Sequence, residues 1–399
     1  MPFHIAFVGV SGDGHMNPPL AVTEELVRRG HRVSWAVTEE FADRVRAVGA
    51  EPVRYAFTLP EYPDDDVPSV APAEFLMEAR ATLPVIEEAW GGDRPDAIAY
   101  DGLAWAGRVL AAKWRVPGVE MWPSFVSNEH FSLEAEFLAG HPVDAELLAF
   151  ARGMASFLAE NGLSRIPVSR FLAHTERLRL AFFPRAFQFR GETFDDSFAF
   201  VGPCLSTRDR TRQRQWRPPA GDRPVLLVSL GTSYNDRPDF FRMCGEAFRD
   251  LPWHVVLSYG SRIAPAGLGE LPANVEAHPY VPYLDVLPHA AAFVTHAGMG
   301  SAMEALTHAT PMVAVPQMHE QEAVAARIEE LGLGARLDPG ALDAATLRET
   351  VLKAAGDPDV RAALTRMRDV TRAAGGAAAA ADRIEADLAL RAAAPRAAG

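Results

Sequence analysis

The feature that most constrains this chain is an alternation of strand-type and helix-type segments that runs twice, with one interruption. Residues 5–10 are a short apolar run of buried-strand type, and 20–29 carry Leu20, Val22, Leu26 and Val27 in a helical pattern. A strand at 32–37, a helix at 39–48 and a strand at 53–57 follow. Gly30 and Gly49 close the two helices, where a left-handed cap is wanted. Further strands are expected at 97–100, 119–122, 178–183 and 198–201, with helical pattern at 104–115 and through 133–162. Residues 206–224 break the rhythm: six Arg, three Pro and almost no aliphatic side chains mark a linker. The alternation then restarts, with strands at 225–229, 254–257, 275–277, 292–295 and 311–315. Helices are expected at 238–248, near 284, at 301–308 and at 321–331, before an Ala-rich helical tail from 344 that frays over 392–399. Strand–helix–strand order implies parallel sheets covered on both faces. The predicted fold class is α/β, with two doubly wound Rossmann-like domains in tandem facing a central cleft. In such sheets ligands bind beyond the carboxyl ends of the strands, and a cleft between two domains is a preferred place for a site.

The 399 residues, 48% hydrophobic, suffice for two cores. A net charge of −13 argues against nucleic acid as a partner, because phosphates would be repelled. Two cysteines, Cys204 and Cys244, are too few for a disulfide framework and fit a reducing compartment, where they read as small buried residues. No stretch has the roughly 18 apolar residues of a membrane span, and Met1 leads into a strand-like segment without a basic start. The expectation is a cytoplasmic protein.

The most informative stretch is 293–304. A strand runs into His296, Gly298 and Gly300 follow, and Ser301 is read as opening a helix. Glycines let a backbone come close to a ligand, and the first amides of a helix, with the positive end of its dipole, favour an anion. With His296 and the Ser301 hydroxyl as added donors, this is a diphosphate cradle. Glu304, three residues beyond Ser301, can accept two ribose hydroxyls. The plainer reading, a tight turn with a satisfied buried imidazole, would serve for a lone Gly pair but not for the ordered set. Ser229, Gly231 and Thr232 occupy the equivalent place after the first strand of the second domain and would cover the phosphates from the other side.

In the first domain, His15 lies in the loop after the first strand, and Asp101 after another strand of the same half. An imidazole there is suited to take a proton near neutral pH, and a carboxylate beside it would orient the ring and stabilise its cation. Taken singly, His15 reads as a turn residue and Asp101 as a helix N-cap. Asp-rich 63–66 reads as a solvated turn rather than a metal site. Phe57, Trp122, Phe125, Phe131 and Phe137 are mostly core aromatics, some of which are expected to line a pocket.

These pieces carry a resemblance. Gly-His-Met-Asn-Pro at 14–18, Asp101, Val-Ser-Leu-Gly at 228–231 and the box 280–321, with its Thr-His-Ala-Gly and Pro-Met-Val-Ala-Val-Pro elements in order, resemble the macrolide glycosyltransferases. These are a subgroup of the inverting family-1 UDP-glycosyltransferases with the GT-B fold. The resemblance covers nearly the whole chain. It implies an acceptor-binding domain over 1–205, a linker over 206–224, a nucleotide-sugar domain over 225–378, and a helix over 379–399 that crosses back to the first domain. His296, Gly298, Gly300 and Ser301 would meet the diphosphate and Glu304 the ribose. Tyr280, with Val281 beside it, would meet the base, and Glu320 and Gln321 the sugar. His15 and Asp101 would form the catalytic dyad. The implied reaction is transfer of a sugar, glucose first, from UDP to a hydroxyl of a small apolar acceptor such as a macrolide or polyphenol, with inversion, no metal and no cofactor beyond the sugar nucleotide as co-substrate.

The sequence departs from the family at Tyr280 (usually Trp), Tyr283 (usually Gln) and Glu320 (usually Asp). Those departures keep a TDP-deoxysugar donor as an alternative. A non-catalytic auxiliary relative is disfavoured by the presence of both His15 and Asp101. A nicotinamide-dependent oxidoreductase is disfavoured because the first turn, Gly9 to His15, lacks G-x-G-x-x-G spacing. Antibiotic inactivation, self-protection and biosynthetic tailoring are all compatible with the sequence.

Overall fold

β1 (His4–Val8) is buried along its whole length. Its side chains alternate: Ile5 and Phe7 join the core on one face of a sheet, Ala6 and Val8 the core on the other. That is why the strands of this chain read as continuous apolar runs. The computed structural model describes residues 2–57, 71–133, 135, 145–173, 175–206, 216–232 and 235–393. The acidic 63–66 segment, Phe137, linker residues 207–215 and the terminal 394–399 lie outside them.

Two units emerge, one of residues 1–211 with 374–399, the other of 212–373. In the first, β1 is followed by α1 (Asp13–Arg28), β2 (Arg32–Val37), α2 (Glu39–Ala47), β3 (Glu51–Arg54), α3 (Ala71–Gly91), β4 (Ala97–Asp101), α4 (Trp105–Trp114) and β5 (Gly118–Trp122). Then come α5 (Ala145–Glu160), α6 (Val168–Leu172), β6 (Leu178–Ala181) and β7 (Phe198–Phe200). The seven strands pair in parallel in the order β3-β2-β1-β4-β5-β6-β7. The chain winds outward from β1 in one direction and resumes at β4 in the other, so the switch point lies between β1 and β4.

The second unit repeats this plan. It contains β8 (Val225–Ser229), α7 (Pro238–Ala247), β9 (His254–Ser258), β10 (Val275–His278), α8 (Tyr283–Val286), β11 (Ala290–Thr295) and α9 (Met299–His308). β12 (Met312–Ala314), α10 (His319–Glu330), β13 (Gly334–Arg336), α11 (Ala344–Gly356) and α12 (Pro358–Ala373) complete it. Its parallel order, β10-β9-β8-β11-β12-β13, puts the switch point between β8 and β11. The last helix, α13 (Gly376–Ala393), packs Ala380, Ala381, Ile384 and Leu388 into the core that holds Ile5 and Phe7. Arg29 at the end of α1 binds both Asp382 and Glu385 at 2.6 Å. His31 accepts the Phe3 amide at Nδ1 (3.1 Å), so its Nε2 carries the hydrogen donated to Glu385 at 2.7 Å. No helix among the described residues is long and apolar enough to cross a membrane.

Three local differences from the sequence reading have physical causes. α1 begins at Asp13 rather than residue 20, because Pro18 and Pro19 are absorbed inside it instead of delaying it. His15 therefore sits in the first turn of a helix, not in a free loop. α9 begins at Met299, with Ser301 as its third residue, because Gly298 takes the N-cap position. α3 and β13 are additional elements. α3 contains Pro84 and blurs its own periodicity, and β13 is three residues without an apolar run.

α4 lies hard against the sheet at Gly107. A Cβ there would come within 2.7 Å of Tyr100 Cβ and 2.9 Å of Val8 Cβ, on the two strands that flank the switch point. Gly107→Val is expected to cost about 1–3 kcal/mol through overpacking, seen as a fall of several degrees in the thermal midpoint; an unchanged midpoint would show that α4 can move away freely.

Candidate active site

The first constellation forms at the β1/β4 switch point. β4 ends at Asp101, which is almost fully buried, and the loop after β1 leads into the α1 turn that carries His15. His15 Nδ1 lies 2.7 Å from Asp101 Oδ2. The other carboxylate oxygen accepts the Leu103 amide at 2.9 Å, which keeps the carboxylate from rotating. A carboxylate only accepts, so the imidazole presents N–H at Nδ1 and a lone pair at Nε2. The His15 side chain keeps 31% of its surface exposed, while that of Asp101 keeps 3%. The ring is held at its back by a buried anion and remains accessible. This arrangement can take a proton from a hydroxyl and stabilise the resulting imidazolium.

The second constellation forms at the β8/β11 switch point of the other unit. β11 ends at Thr295 and delivers His296, Ala297 and Gly298 before α9. Ala297 is fully buried and has φ +61, a left-handed backbone that costs a non-glycine residue about 1–2 kcal/mol. The Thr295 hydroxyl accepts its amide at 3.1 Å and holds the turn. Such strain collects at functional sites. His296 is clasped by two glycines. A Cβ at Gly231, where φ is +81, would stand 2.7 Å from the ring, and one at Gly298 2.4 Å. Burial pulls the His296 imidazole down to about 4, so it is neutral at ordinary pH, and its Nδ1 is buried without a hydrogen-bond partner. α9 has no side-chain cap, which leaves the first-turn amides of Met299, Gly300 and Ser301 without one. Gly300 is exposed, and a Cβ there would meet nothing. One turn on, burial pushes the Glu304 carboxyl up to about 7. An uncapped helix end, a neutral imidazole with an orphaned nitrogen and a desolvated carboxyl thus come together on one segment, and such helix ends are suited to anions.

A family model described as the C-terminal domain of erythromycin biosynthesis protein CIII-like proteins matches residues 248–386. The chain is 42% identical over 397 residues to demethyllactenocin mycarosyltransferase of Streptomyces fradiae, covering 96% of this chain and 86% of that one. It is 40% identical over 400 residues to oleandomycin glycosyltransferase of Streptomyces antibioticus, covering 98% and 92%. The crystal structure of CalG4, the calicheamicin glycosyltransferase, matches with a TM-score of 0.85 at 42% identity, over 99% of this chain and 100% of that one. The chain belongs to the macrolide glycosyltransferase family.

The remaining residues singled out in this glycosyltransferase differ in availability. Ser229 is buried; its hydroxyl accepts the Gly231 amide at 3.1 Å and bonds the Tyr283 hydroxyl. It shapes the Gly231–Thr232 turn from within, and Thr232 itself is exposed. Tyr283 is further fixed edge-on against Phe293 at 5.4 Å. Tyr280 is 40% exposed, while Val281 beside it is buried. The side-chain oxygen of Gln321 accepts the Gln317 amide at 2.9 Å, which fixes the orientation of the carboxamide. Glu320 is the residue before it on the first turn of α10 and is partly buried. The Ser229–Tyr283 bond and the strained Ala297 escaped the sequence reading. A Tyr where a Gln is usual pointed toward the first, and nothing in the composition of the turn points to the second.

His296 and Glu304 push stability in opposite directions with pH. Glu304, raised from 4.5 to about 7, resists ionisation in the fold, so the stability it contributes is complete below about pH 4.5 and is lost as pH rises through 7. His296, lowered from 6.5 to about 4, acts oppositely, losing stability as pH falls from 6.5 to 4. Glu304→Gln is therefore expected to raise the thermal midpoint over wild type more at pH 8 than at pH 5; equal shifts at both would contradict the desolvated carboxyl.

Proposed function

We propose that the enzyme transfers glucose from UDP-glucose to a hydroxyl of a small apolar natural product, with inversion at the anomeric carbon. The observation that carries this reading is the 2.7 Å contact between His15 Nδ1 and Asp101 Oδ2 at the end of β4. His15 Nε2 takes the acceptor proton, the oxygen attacks the anomeric carbon, and UDP leaves with both electrons of the broken C–O bond. Asp101 keeps the tautomer and balances the imidazolium. A positioned general base contributes about 10² to 10⁴ in rate.

The leaving diphosphate is received by the amides at the start of α9, with the Ser301 hydroxyl and neutral His296 as further donors and Gly231 and Thr232 across from them. The helix end favours the growing charge by about 0.3–2 kcal/mol, in a setting where fixed dipoles need little reorganisation. Glu304 accepts the ribose hydroxyls, Tyr280 stacks on the base, and Glu320 with the Gln321 amide holds the sugar. In this reading the diphosphate charge is met by dipoles, and transfer proceeds without a metal or a further cofactor and survives EDTA.

A second donor, a TDP-deoxysugar, is favoured by Tyr283. Its hydroxyl is tied to Ser229, so the group beside the base differs from the usual amide. The relative named as a mycarosyltransferase points the same way.

UDP-glucose and TDP-glucose are to be offered with macrolide and phenol acceptors, and the products read by mass spectrometry and by the anomeric coupling constant. A β-glycoside from UDP-glucose, with His15→Ala slower by about 10² to 10⁴, is the expected result. Preference for TDP-glucose would move the assignment to the second donor, and full activity of His15→Ala would refute the base.

A further inference from the structure

The turn that carries His15 is weakly held by its own helix. Pro18 and Pro19 lie inside α1, and proline has no N–H to donate. The carbonyls of Gly14 and His15, four residues earlier, therefore have no helical partner at those positions. Yet an imidazole that takes a proton in a transfer reaction has to be placed within a fraction of an ångström.

Side chains from other elements supply the missing constraint. Arg44, on α2 and 7% exposed, reaches Asp13 Oδ1 from Nη1 at 2.8 Å and Asn17 Oδ1 from Nη2 at 2.6 Å. Those acceptors lie two residues before and two residues after His15. At the entrance to the same turn, Ser11 Oγ lies 3.1 Å from the Tyr55 hydroxyl, which donates to the buried Glu78 at 2.7 Å. Desolvating a guanidinium is costly unless its donors are well paired, and a planar fork spanning two fixed acceptors is the geometry that arginine provides and lysine does not.

We propose that Arg44 is a positioning residue for the catalytic base. Its two-point grip on Asp13 and Asn17 sets the angle of the His15 ring against Asp101. The inference rests on His15 being the base, and Arg44 acts through the turn rather than on the reacting atoms.

The test compares wild type, Arg44→Met, Arg44→Lys, His15→Ala and the His15→Ala/Arg44→Met double variant, using UDP-glucose and TDP-glucose with a phenol acceptor. Methionine keeps an unbranched stem beside Phe41 but removes the fork. Arg44→Met is expected to lower kcat by about 10- to 100-fold while donor KM stays within about twofold, and Arg44→Lys to recover only part of the loss. In the His15→Ala background the same substitution should change the residual rate by less than about twofold, because the group it positions is gone. Asn17→Ala, which removes one arm of the grip, should show the same pattern and serves if Arg44→Met does not fold. Wild-type kcat for Arg44→Met beside an inactive His15→Ala would overturn this proposal and leave the base assignment standing. An equal fractional loss in both backgrounds would also overturn it, by marking general damage to the fold. Full activity of His15→Ala would remove the base and this proposal together.

Discussion

Everything in the first unit's chemistry depends on one hydrogen bond, His15 to Asp101, made across a sheet switch point. Two residues 86 positions apart meet because β1 and β4 are neighbours in the sheet. Neither side chain would have this character alone. An exposed histidine has nothing to hold the Nδ1–H tautomer or the ring angle, and a buried carboxylate without a partner is costly. Together, a buried anion orients an accessible ring. The glycine that lets α4 touch both β1 and β4 belongs to the same construction, since it brings the two strand ends under a single helix.

The second unit uses the same topology for the opposite electrostatic task. Its switch point gathers backbone amides, a neutral imidazole and a desolvated carboxyl, all from the segment that follows β11. The left-handed Ala297 turns the chain so that α9 can start directly after the strand. Ser229 and Tyr283 brace the facing turn from within. The site is thus assembled from dipoles and strain, which would suit the charged leaving group of the proposed reaction.

How much of this was legible in the sequence follows from how local each feature is. Strands buried on both faces read clearly, because every position must be apolar. The proposed diphosphate cradle could be assembled from sequence because His296, Gly298, Gly300, Ser301 and Glu304 sit on consecutive turns of one segment. The dyad needed the sheet order, which residues 15 and 101 do not reveal by themselves; a family resemblance supplied the link. The start of α1 was hidden because paired prolines normally argue against a helix, and here they lie near its beginning, where Arg44 stands in for the lost bonds. Arg44, Tyr55 and Glu78 left no local signal, since a buried charged residue on an amphipathic helix looks like any surface residue until its partners are known. The strained Ala297 was equally silent, because a glycine is the usual mark of that conformation.

In the proposed reaction the Asp101 carboxylate orients His15 and balances its cation. The direct measurement is the pH dependence of kcat/KM for sugar transfer in wild type and in Asp101→Asn, which keeps the shape and removes the charge. Without the charge nothing balances the imidazolium that forms in the proposed reaction, so the plateau is predicted to fall by about 10²-fold or more. A plateau within about twofold of wild type would contradict the account.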